Sequence, residues 1–219
     1  MSYEFHIEED FISNDERLAI KQKVLDLKPY WTDHRPEWYS GVEFNTLGNA
    51  LYTMYAAKIK LTAADIDQQV RSLLIENFSW LYQRIGNKIQ SLTGHPTKLH
   101  DALTVPGFHI GYKLSDREDS VINFYHQDST ILFYDSESSM ETVRSVLVAI
   151  DMPATGAYLL YLNDGQQHRL NYKLGAFHQW DSRMDHKVGG LKIAPGEYRI
   201  TLQCHYYYNA RMQCNLMYF

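Results

Sequence analysis

The sequence is short of cysteine, of excess positive charge and of long apolar runs. Only Cys204 and Cys214 occur in 219 residues, too few for a disulfide framework, so we expect a reducing, cytoplasmic setting. The formal net charge of −5 gives no electrostatic case for binding nucleic acid or an anionic membrane. The first residues lack the basic segment and apolar run of a signal peptide, and no apolar stretch approaches transmembrane length.

Aromatic residues, by contrast, are plentiful. They make up 14% of the chain and include 17 tyrosines, which is typical of a Tyr-rich core and rim, with an aromatic substrate pocket as the alternative. The length fits one domain spanning residues 1–219. Composition changes near residue 95, which predicts a helical N-terminal part, 1–95, followed by a β core, 96–219.

Two helices are predicted in the N-terminal part. Ser13 and Glu16 have the spacing of a capping box, and Pro29 ends the helix that follows. Apolar residues at helical spacing predict a second helix from about 63 to 92, which Gly86 would split or kink.

The loop between these helices, residues 29–45, has two interpretations. It holds Trp31, Arg35 and Trp38, and a loop of this length is often functional. It is therefore either a lid over a site or a plain packed loop.

Short strands are predicted from Val105 onward, because apolar and polar residues alternate between Gly and Pro turns. Asn163-Asp164-Gly165 is a hairpin signal between two of them. About eight strands after a helical segment indicate an α+β, mainly β fold, in which a sandwich or barrel carries helices outside. The predicted strands are 105–112, 121–126, 144–150, 157–162, 168–173, 175–180, 197–208 and 212–218.

The candidate chemistry centres on His126-Gln127-Asp128. Residues 121–125 predict a strand leading into His126, and side chains at i and i+2 of an extended chain face the same side. His186, after a second strand and a turn, can supply a third ligand. Two imidazoles and one carboxylate are the ligand set of a ferrous site with open coordination positions.

The alternative for His126 alone is a hydrogen-bonded strand histidine, with Asp128 capping a turn. His6-Ile7-Glu8 has a similar form, but no strand precedes it, so we reject it as a metal site. Among the other histidines, His178 is expected on the sheet surface, and His205 in a satisfied polar contact or at a pocket mouth.

The strand predicted at 197–208 alternates in polarity. Arg199 and Thr201 fall on its polar face, which we expect to line a cavity while the apolar face packs against the helices. A buried Arg needs an anion, and its guanidinium fits a carboxylate best through two hydrogen bonds. Thr201 would add a hydroxyl donor.

Taken in this order, these residues resemble the 2-oxoglutarate and Fe(II)-dependent dioxygenase superfamily. The pattern is His126-x-Asp128, then His186, then Arg199-x-Thr201. The strand and turn of residues 175–188 and the Gly-containing segment 154–159 also look like that family, so the resemblance covers roughly residues 105–208. Segment 189–196 is predicted as a loop that accommodates the long spacing from His186 to Arg199.

The resemblance implies a double-stranded β-helix, which is a jelly-roll or cupin-like core, with the N-terminal helices packed outside. It implies catalytic Fe(II) bound by His126, Asp128 and His186, with O2 as oxidant. 2-Oxoglutarate would bind iron through its keto-acid end, and Arg199 and Thr201 through its other carboxylate. The implied reaction hydroxylates a C–H bond of a small molecule or peptide and releases succinate and CO2.

Two points complete the expectation. Halogenases of the resembling family have a small residue where Asp128 stands, so hydroxylation is expected, with desaturation or cyclisation left open. His109 or Tyr112 would also contact 2-oxoglutarate, or else have core or surface roles. The alternative function is a cupin-like metal-binding barrel without oxygen chemistry, acting as an isomerase or a ligand-binding module.

Overall fold

The computed structural model describes residues 5–33, 44–52, 68–112, 125–189 and 192–219. Within these ranges strands outnumber helices, and strands also occur in the N-terminal part. The helices are α1 (Asn14–Asp26) and α2 (Gln68–Thr93). The strands are β1 (His6–Glu8), β2 (Thr32–Asp33), β3 (Phe44–Leu47), β4 (Thr97–Leu99), β5 (Gly107–Gly111), β6 (Arg144–Asp151), β7 (Tyr158–Asn163), β8 (Gln166–Asn171), β9 (Phe177–Asp181), β10 (His186–Gly189), β11 (Arg199–Asn209) and β12 (Cys214–Tyr218).

The described strands form two sheets. Nine strands make the large sheet, in the order β1-β9-β6-β11-β5-β3-β2, with β12 beside β11 and β4 beside β12. Three strands make the small sheet, in the order β10-β7-β8. Buried residues from both sheets, including Leu147, Leu159 and Trp180, pack into one cluster. The two sheets therefore face each other across a shared interior.

The helices cover the outer face of the large sheet. The apolar stripe of α2, which includes Leu74, Phe78 and Ile85, packs in one cluster with Val148 and Leu202 of the sheet. The helix α2 runs without a break through Gly86, which is buried near Met217 and Thr97. The predicted possibility that Gly86 splits the helix is therefore wrong, and a kink there stays a prediction. In the described part of the chain, neither helix combines the length and the apolar character needed to span a membrane.

The helix α1 begins as its sequence predicts. The Ser13 hydroxyl accepts a hydrogen bond from the Glu16 backbone amide, and the Glu16 carboxylate accepts one from the Ser13 amide. This reciprocal pair confirms the capping box. Glu16 also bonds to Arg84 through both carboxylate oxygens, at 2.7 and 2.9 Å, which ties α1 to α2.

The strand β11 has two different faces. Ile200, Leu202 and Cys204 point outward into the helix-covered core. Arg199 and Thr201, on the opposite face, are also buried. The predicted alternation is confirmed, because a residue on an extended strand shares its face with the residue two positions away.

The N-terminal part is less helical than predicted. The strands β1, β2 and β3 belong to the large sheet, where β1 pairs with β9 and β3 pairs with β5. His6-Ile7-Glu8, rejected for want of a preceding strand, is itself a strand at the sheet edge. Residues 121–124, of the predicted strand 121–126, and residues 63–67, of the predicted second helix, lie outside the described residues.

Candidate metal centre

The strand β10 and the segment 126–128 bring His126, Asp128 and His186 together. His186 begins β10, and His126 forms an isolated antiparallel bridge with it through two backbone hydrogen bonds of 3.0 Å. Asp128 is two residues further on, and its backbone amide donates to the Ser182 carbonyl at 3.0 Å. One potential ligand atom from each residue lies within 4.8 Å of the other two. The structure thus places the predicted ligand residues in one cluster.

The geometry around Asp128 suits a metal ion. The His186 Nε2 atom is 3.3 Å from the Asp128 Oδ2 atom, and the His126 Nε2 atom is 3.9 Å from the Asp128 Oδ1 atom. Burial alone would raise the pKa of Asp128, but the neighbouring His186, His205 and His126 together hold this pKa well below its usual range. The carboxylate is therefore ionised, as a metal ligand must be.

His186 is oriented by its own backbone. Its Nδ1 atom lies 2.8 Å from the Met184 carbonyl oxygen, which only accepts hydrogen bonds, so Nδ1 carries the donated proton. The Nε2 atom therefore faces Asp128 and is the atom that would bind a metal, the arrangement a metal-binding histidine uses. The Trp180 ring packs edge-on to the imidazole at a centroid distance of 5.5 Å and holds its plane.

One side of the cluster, the side of His126, is exposed to solvent. The His126 side chain is 44% exposed, whereas those of Asp128 and His186 are 14% and 4% exposed. Access from solvent is therefore over His126. Asp128 and His186 form the protein-enclosed wall.

A second polar region of the interior surrounds Arg199. The Arg199 side chain is buried, and among the described residues no carboxylate pairs with it. Within the described ranges, the Nε atom of Arg199, the hydroxyl of Thr201 and the hydroxyl of Tyr172 are buried without a hydrogen-bond partner of good geometry, although Tyr172 and Arg199 influence each other's pKa. Buried polar groups are rarely left unpaired, since each costs about 1–3 kcal/mol. Three donors of this kind in one place fit an absent anion.

Burial and neighbouring charges shift the pKa values of the residues around Arg199. Burial lowers the pKa of Arg199, with Tyr172 and Tyr52 acting in the opposite direction. Burial raises the pKa of Tyr172 to about 12, where Arg199 lowers and Asp128 raises it. Tyr52 is influenced by the same two charges. Tyr172 and Tyr52 are therefore close enough to both Asp128 and Arg199 for the two charges to influence their pKa values.

Of the two spare histidines, His178 differs from its prediction and His205 agrees with it. His178 is fully buried, its ring nitrogens have no hydrogen-bond partner of good geometry among the described residues, and burial lowers its pKa to about 4. Its prediction as a surface residue is wrong, because its side chain faces the interior, edge-on to Tyr172. His205 makes a polar contact, as expected, with its Nδ1 atom 3.2 Å from the Ser145 hydroxyl.

The remaining candidates, His109, Tyr112 and Trp31, make different kinds of contact. His109 bonds to the Tyr52 hydroxyl at 3.0 Å, whereas Tyr112 packs with Tyr198 and Trp31 on the helix side. Trp31 donates from its ring nitrogen to the Val24 carbonyl at 3.1 Å, which is the packed-loop alternative. Arg35 and Trp38, the other lid candidates, lie outside the described residues.

Sequence reasoning missed Tyr172, Ser145 and Ser182. Each is an ordinary residue in strand-like or turn sequence, with no motif to mark it. The alternation of β6 could have placed Ser145 on the inner face, but not beside Asp128.

Comparison with known proteins adds the fold. No protein-family model matches the sequence, and no curated protein is similar to it in sequence. The chain is similar to a prolyl-4-hydroxylase from Pseudomonas putida, with 14% identity, a TM-score of 0.44 and coverage of 94% of this chain and 92% of that one. It is also similar to SnoN, a non-heme, α-ketoglutarate-dependent epimerase of nogalamycin biosynthesis, with 13% identity and a TM-score of 0.52.

The SnoN match covers 93% of this chain and 79% of that one, and a second SnoN structure holds Fe3+, α-ketoglutarate and nogalamycin RO. The likeness extends over nearly the whole chain. The fold is therefore a mainly β double-stranded β-helix with helices outside, which confirms the predicted fold class.

Proposed function

We propose that the protein is an Fe(II)- and 2-oxoglutarate-dependent dioxygenase that hydroxylates a C–H bond. One observation carries the proposal. A two-histidine, one-carboxylate cluster shares the sheet-lined interior with a buried Arg199 that lacks a carboxylate partner in the described part of the chain. That pairing of a metal-binding set with an anion site is what a dicarboxylate bridging the two requires.

The residues present fit both groups. His126, Asp128 and His186 would hold Fe(II), and Arg199, Thr201 and Tyr172 would receive the distal carboxylate of 2-oxoglutarate. The three unpartnered donors match an acceptor-only group. When bound, iron with 2-oxoglutarate and O2 supplies the oxidising chemistry, with succinate and CO2 released.

The protein's own residues supply geometry and shielding. His186, fixed by the Met184 carbonyl, and Asp128 form the enclosed wall, so the co-substrate would lie along the interior toward Arg199. Tyr172 and Leu159 pack in the cluster between the sheets and exclude water there. The exposed edge of His126 leaves a path for the substrate.

The substrate class stays broad. A small molecule or a peptide is proposed, with no nucleic acid or membrane as partner. Both cysteines are buried and unpaired, which fits a reducing, cytoplasmic setting.

The alternative is a cupin-like barrel that binds metal without oxygen chemistry. Such a protein would use the three ligands but has no need of a keto-acid co-substrate. The buried Arg199 favours the oxygenase, because it would otherwise carry the cost of an unpaired interior charge.

The two functions are separated by one anaerobic titration. Protein with Fe(II) should develop a weak visible charge-transfer band when 2-oxoglutarate is added, and none when succinate replaces it. Arg199→Met should need at least ten times more 2-oxoglutarate for the same band, whereas Arg169→Met, on the exposed strand β8, should behave like the unaltered protein. Metal binding without any band would favour the cupin-like function.

The outcome of turnover needs a second measurement. Asp128 keeps the carboxylate that a halide would have to replace at the metal. With labelled O2, excess chloride and a substrate found by screening, the main product should carry one labelled oxygen atom. A chlorinated main product would contradict hydroxylation, and an oxygen-free product would indicate desaturation, cyclisation or epimerisation.

A further inference from the structure

A buried hydroxyl network stands behind the carboxylate of Asp128. The Ser145 hydroxyl donates a short hydrogen bond to the Asp128 Oδ2 atom. Ser145 also lies 2.7 Å from the Ser182 hydroxyl and 3.2 Å from the His205 Nδ1 atom. Ser145 and Ser182 have no exposed surface, and His205 is 7% exposed. The network is therefore cut off from solvent, and its members must satisfy one another.

Three separate strands build this network. Ser145 is on β6 and is the direct cross-strand partner of His205 on β11 and of Trp180 on β9. Ser182 follows the end of β9, and its carbonyl accepts from the Asp128 amide at 3.0 Å. Residues on or next to strands of the large sheet thus hydrogen-bond to both the backbone and the side chain of Asp128.

The number of available protons decides which group donates and which accepts in each hydrogen bond of the network. A carboxylate that binds a metal can only accept hydrogen bonds, so the Ser145 hydroxyl must donate its single proton to Asp128. Ser145 can then only accept from its other two neighbours. The Ser182 hydroxyl and the His205 Nδ1–H must be the donors, and together they fill both lone pairs of the Ser145 oxygen.

We propose that Ser145, held by Ser182 and His205, is the positioning residue for Asp128 as a metal ligand. By holding Oδ2, it fixes the rotation of the carboxylate and limits it to one orientation toward His126 and His186. The hydrogen bond also withdraws charge from the carboxylate, which sets the strength of the metal–oxygen bond. This inference rests on the metal site of the proposed function, but not on 2-oxoglutarate or turnover.

The test measures metal binding in the absence of 2-oxoglutarate, with Co(II) as an optical probe beside Fe(II). Loss of a partner that orients a metal ligand typically weakens metal affinity by about 10–100-fold. Ser145→Ala should lose affinity in this range and shift the visible bands of bound Co(II). Ser182→Ala keeps the bond from Ser145 to Asp128, so its loss should be smaller, below about tenfold.

Two further variants keep the test decisive. Ser145→Thr keeps a hydroxyl that can donate to Asp128 and should bind metal more tightly than Ser145→Ala. Ser182→Ala carries the test if Ser145→Ala does not fold. Ser91→Ala removes a hydroxyl that bonds to the Lys88 carbonyl at the end of α2, and should change neither affinity nor spectrum.

The possible results are distinguishable. If the unaltered protein binds neither Co(II) nor Fe(II), the proposed metal site fails and this inference falls with it. If it binds metal and Ser145→Ala binds equally well with unchanged Co(II) bands, only the positioning role is overturned. A lower melting temperature with unchanged bands would likewise assign Ser145 a structural role alone.

Discussion

The two faces of β11 show two different uses of burial. On the outer face, Leu202 and Cys204 are packed among apolar residues of α2 and the neighbouring strands. On the inner face, Arg199 and Thr201 are equally buried, yet they keep polar atoms that find no hydrogen-bond partner in the part of the chain that the structure describes. The outer face stabilises the fold, whereas the inner face carries a cost of about 1–3 kcal/mol for each unpaired group.

The difference indicates which residues are retained for binding and which for stability. A strand inside a sheet could carry apolar residues on both faces, and replacing a buried charge by an apolar residue is often neutral or stabilising. We therefore expect substitutions on the two faces to have opposite effects. Substitutions on the outer face should lower stability without affecting ligand binding. Substitutions on the inner face should weaken ligand binding and leave stability unchanged or higher.

The largest effect is expected at the metal cluster. Replacing His186 with Ala removes one of three ligands and leaves an open coordination position that water must fill, so tight Fe(II) binding should be lost while the fold is largely kept. Metal analysis after gel filtration, with circular dichroism for the fold, measures both.

A matched control for His186 is available in the small sheet. His168→Ala changes a histidine that stacks on Tyr161 and lies outside the ligand cluster, so iron occupancy should be unchanged. Full occupancy in the His186 variant would contradict the assignment of this ligand. His186→Gln retains more of the packing against Trp180 and can be used if the alanine variant is unfolded.

The next largest effect tests the outer face. Leu202 is fully buried in the helix–sheet core, so Leu202→Ala should lower the free energy of unfolding by about 2–5 kcal/mol through lost burial and a cavity. Urea denaturation measures this loss. At a temperature where the variant is folded, its metal affinity should stay within about twofold of that of the unaltered protein. A loss of about tenfold would contradict the idea that the outer face serves stability and the inner face serves binding.

Arg199 tests the inner face. Arg199→Met removes the anion partner, and charge-assisted hydrogen bonds are worth about 1.5–3 kcal/mol, so 2-oxoglutarate affinity should fall tenfold or more. Stability should be unchanged or higher, since the desolvated charge is gone. Calorimetry with 2-oxoglutarate and urea denaturation test the two parts. Unchanged affinity would mean that the anion binds elsewhere, and a large loss of stability would make Arg199 a structural residue.

The smallest effect is expected where burial is slight, at the ion pair between Glu16 and Arg84. Hydrogen bonding to Arg84, with help from Ser13, lowers the pKa of Glu16 from 4.5 to about 2. A lowered folded-state pKa stabilises the fold above pH 4.5, and this contribution is lost as the pH falls toward 2. Because the Glu16 side chain is 33% exposed, solvent screening limits the contribution to about 1 kcal/mol or less.

Arg84→Met measures this ion pair. The variant should be slightly less stable than the unaltered protein at pH 7, and the difference should shrink between pH 4.5 and 2. Ser91→Ala, which removes an exposed hydrogen bond to the Lys88 carbonyl in α2, is the control and should show no such pH dependence, because neither group titrates. A difference that stays constant across this pH range would contradict the assignment of the shift to Arg84.

Patterns that are local in sequence determined much of this protein. The capping box at Ser13, the alternation along β11 and the hairpin at Asp164 depend on residues only a few positions apart, so they can be predicted without tertiary information. The same holds for His126 and Asp128, which an extended chain places on one side. The order of the ligand residues and Arg199 also indicated the β-helix class that the SnoN likeness shows.

Other features were decided only by tertiary structure. The strand β3 has four residues and exists because it pairs with β5, so its own sequence carried little signal. Sequence reasoning placed His178 on the surface, because nothing local shows that its side of β9 faces the interior beside Tyr172. Ser145 and Ser182 are 37 residues apart and meet at Asp128 only when β6 and β9 pair. Such contacts arise from long-range strand pairing, and a single sequence contains no local pattern that encodes them.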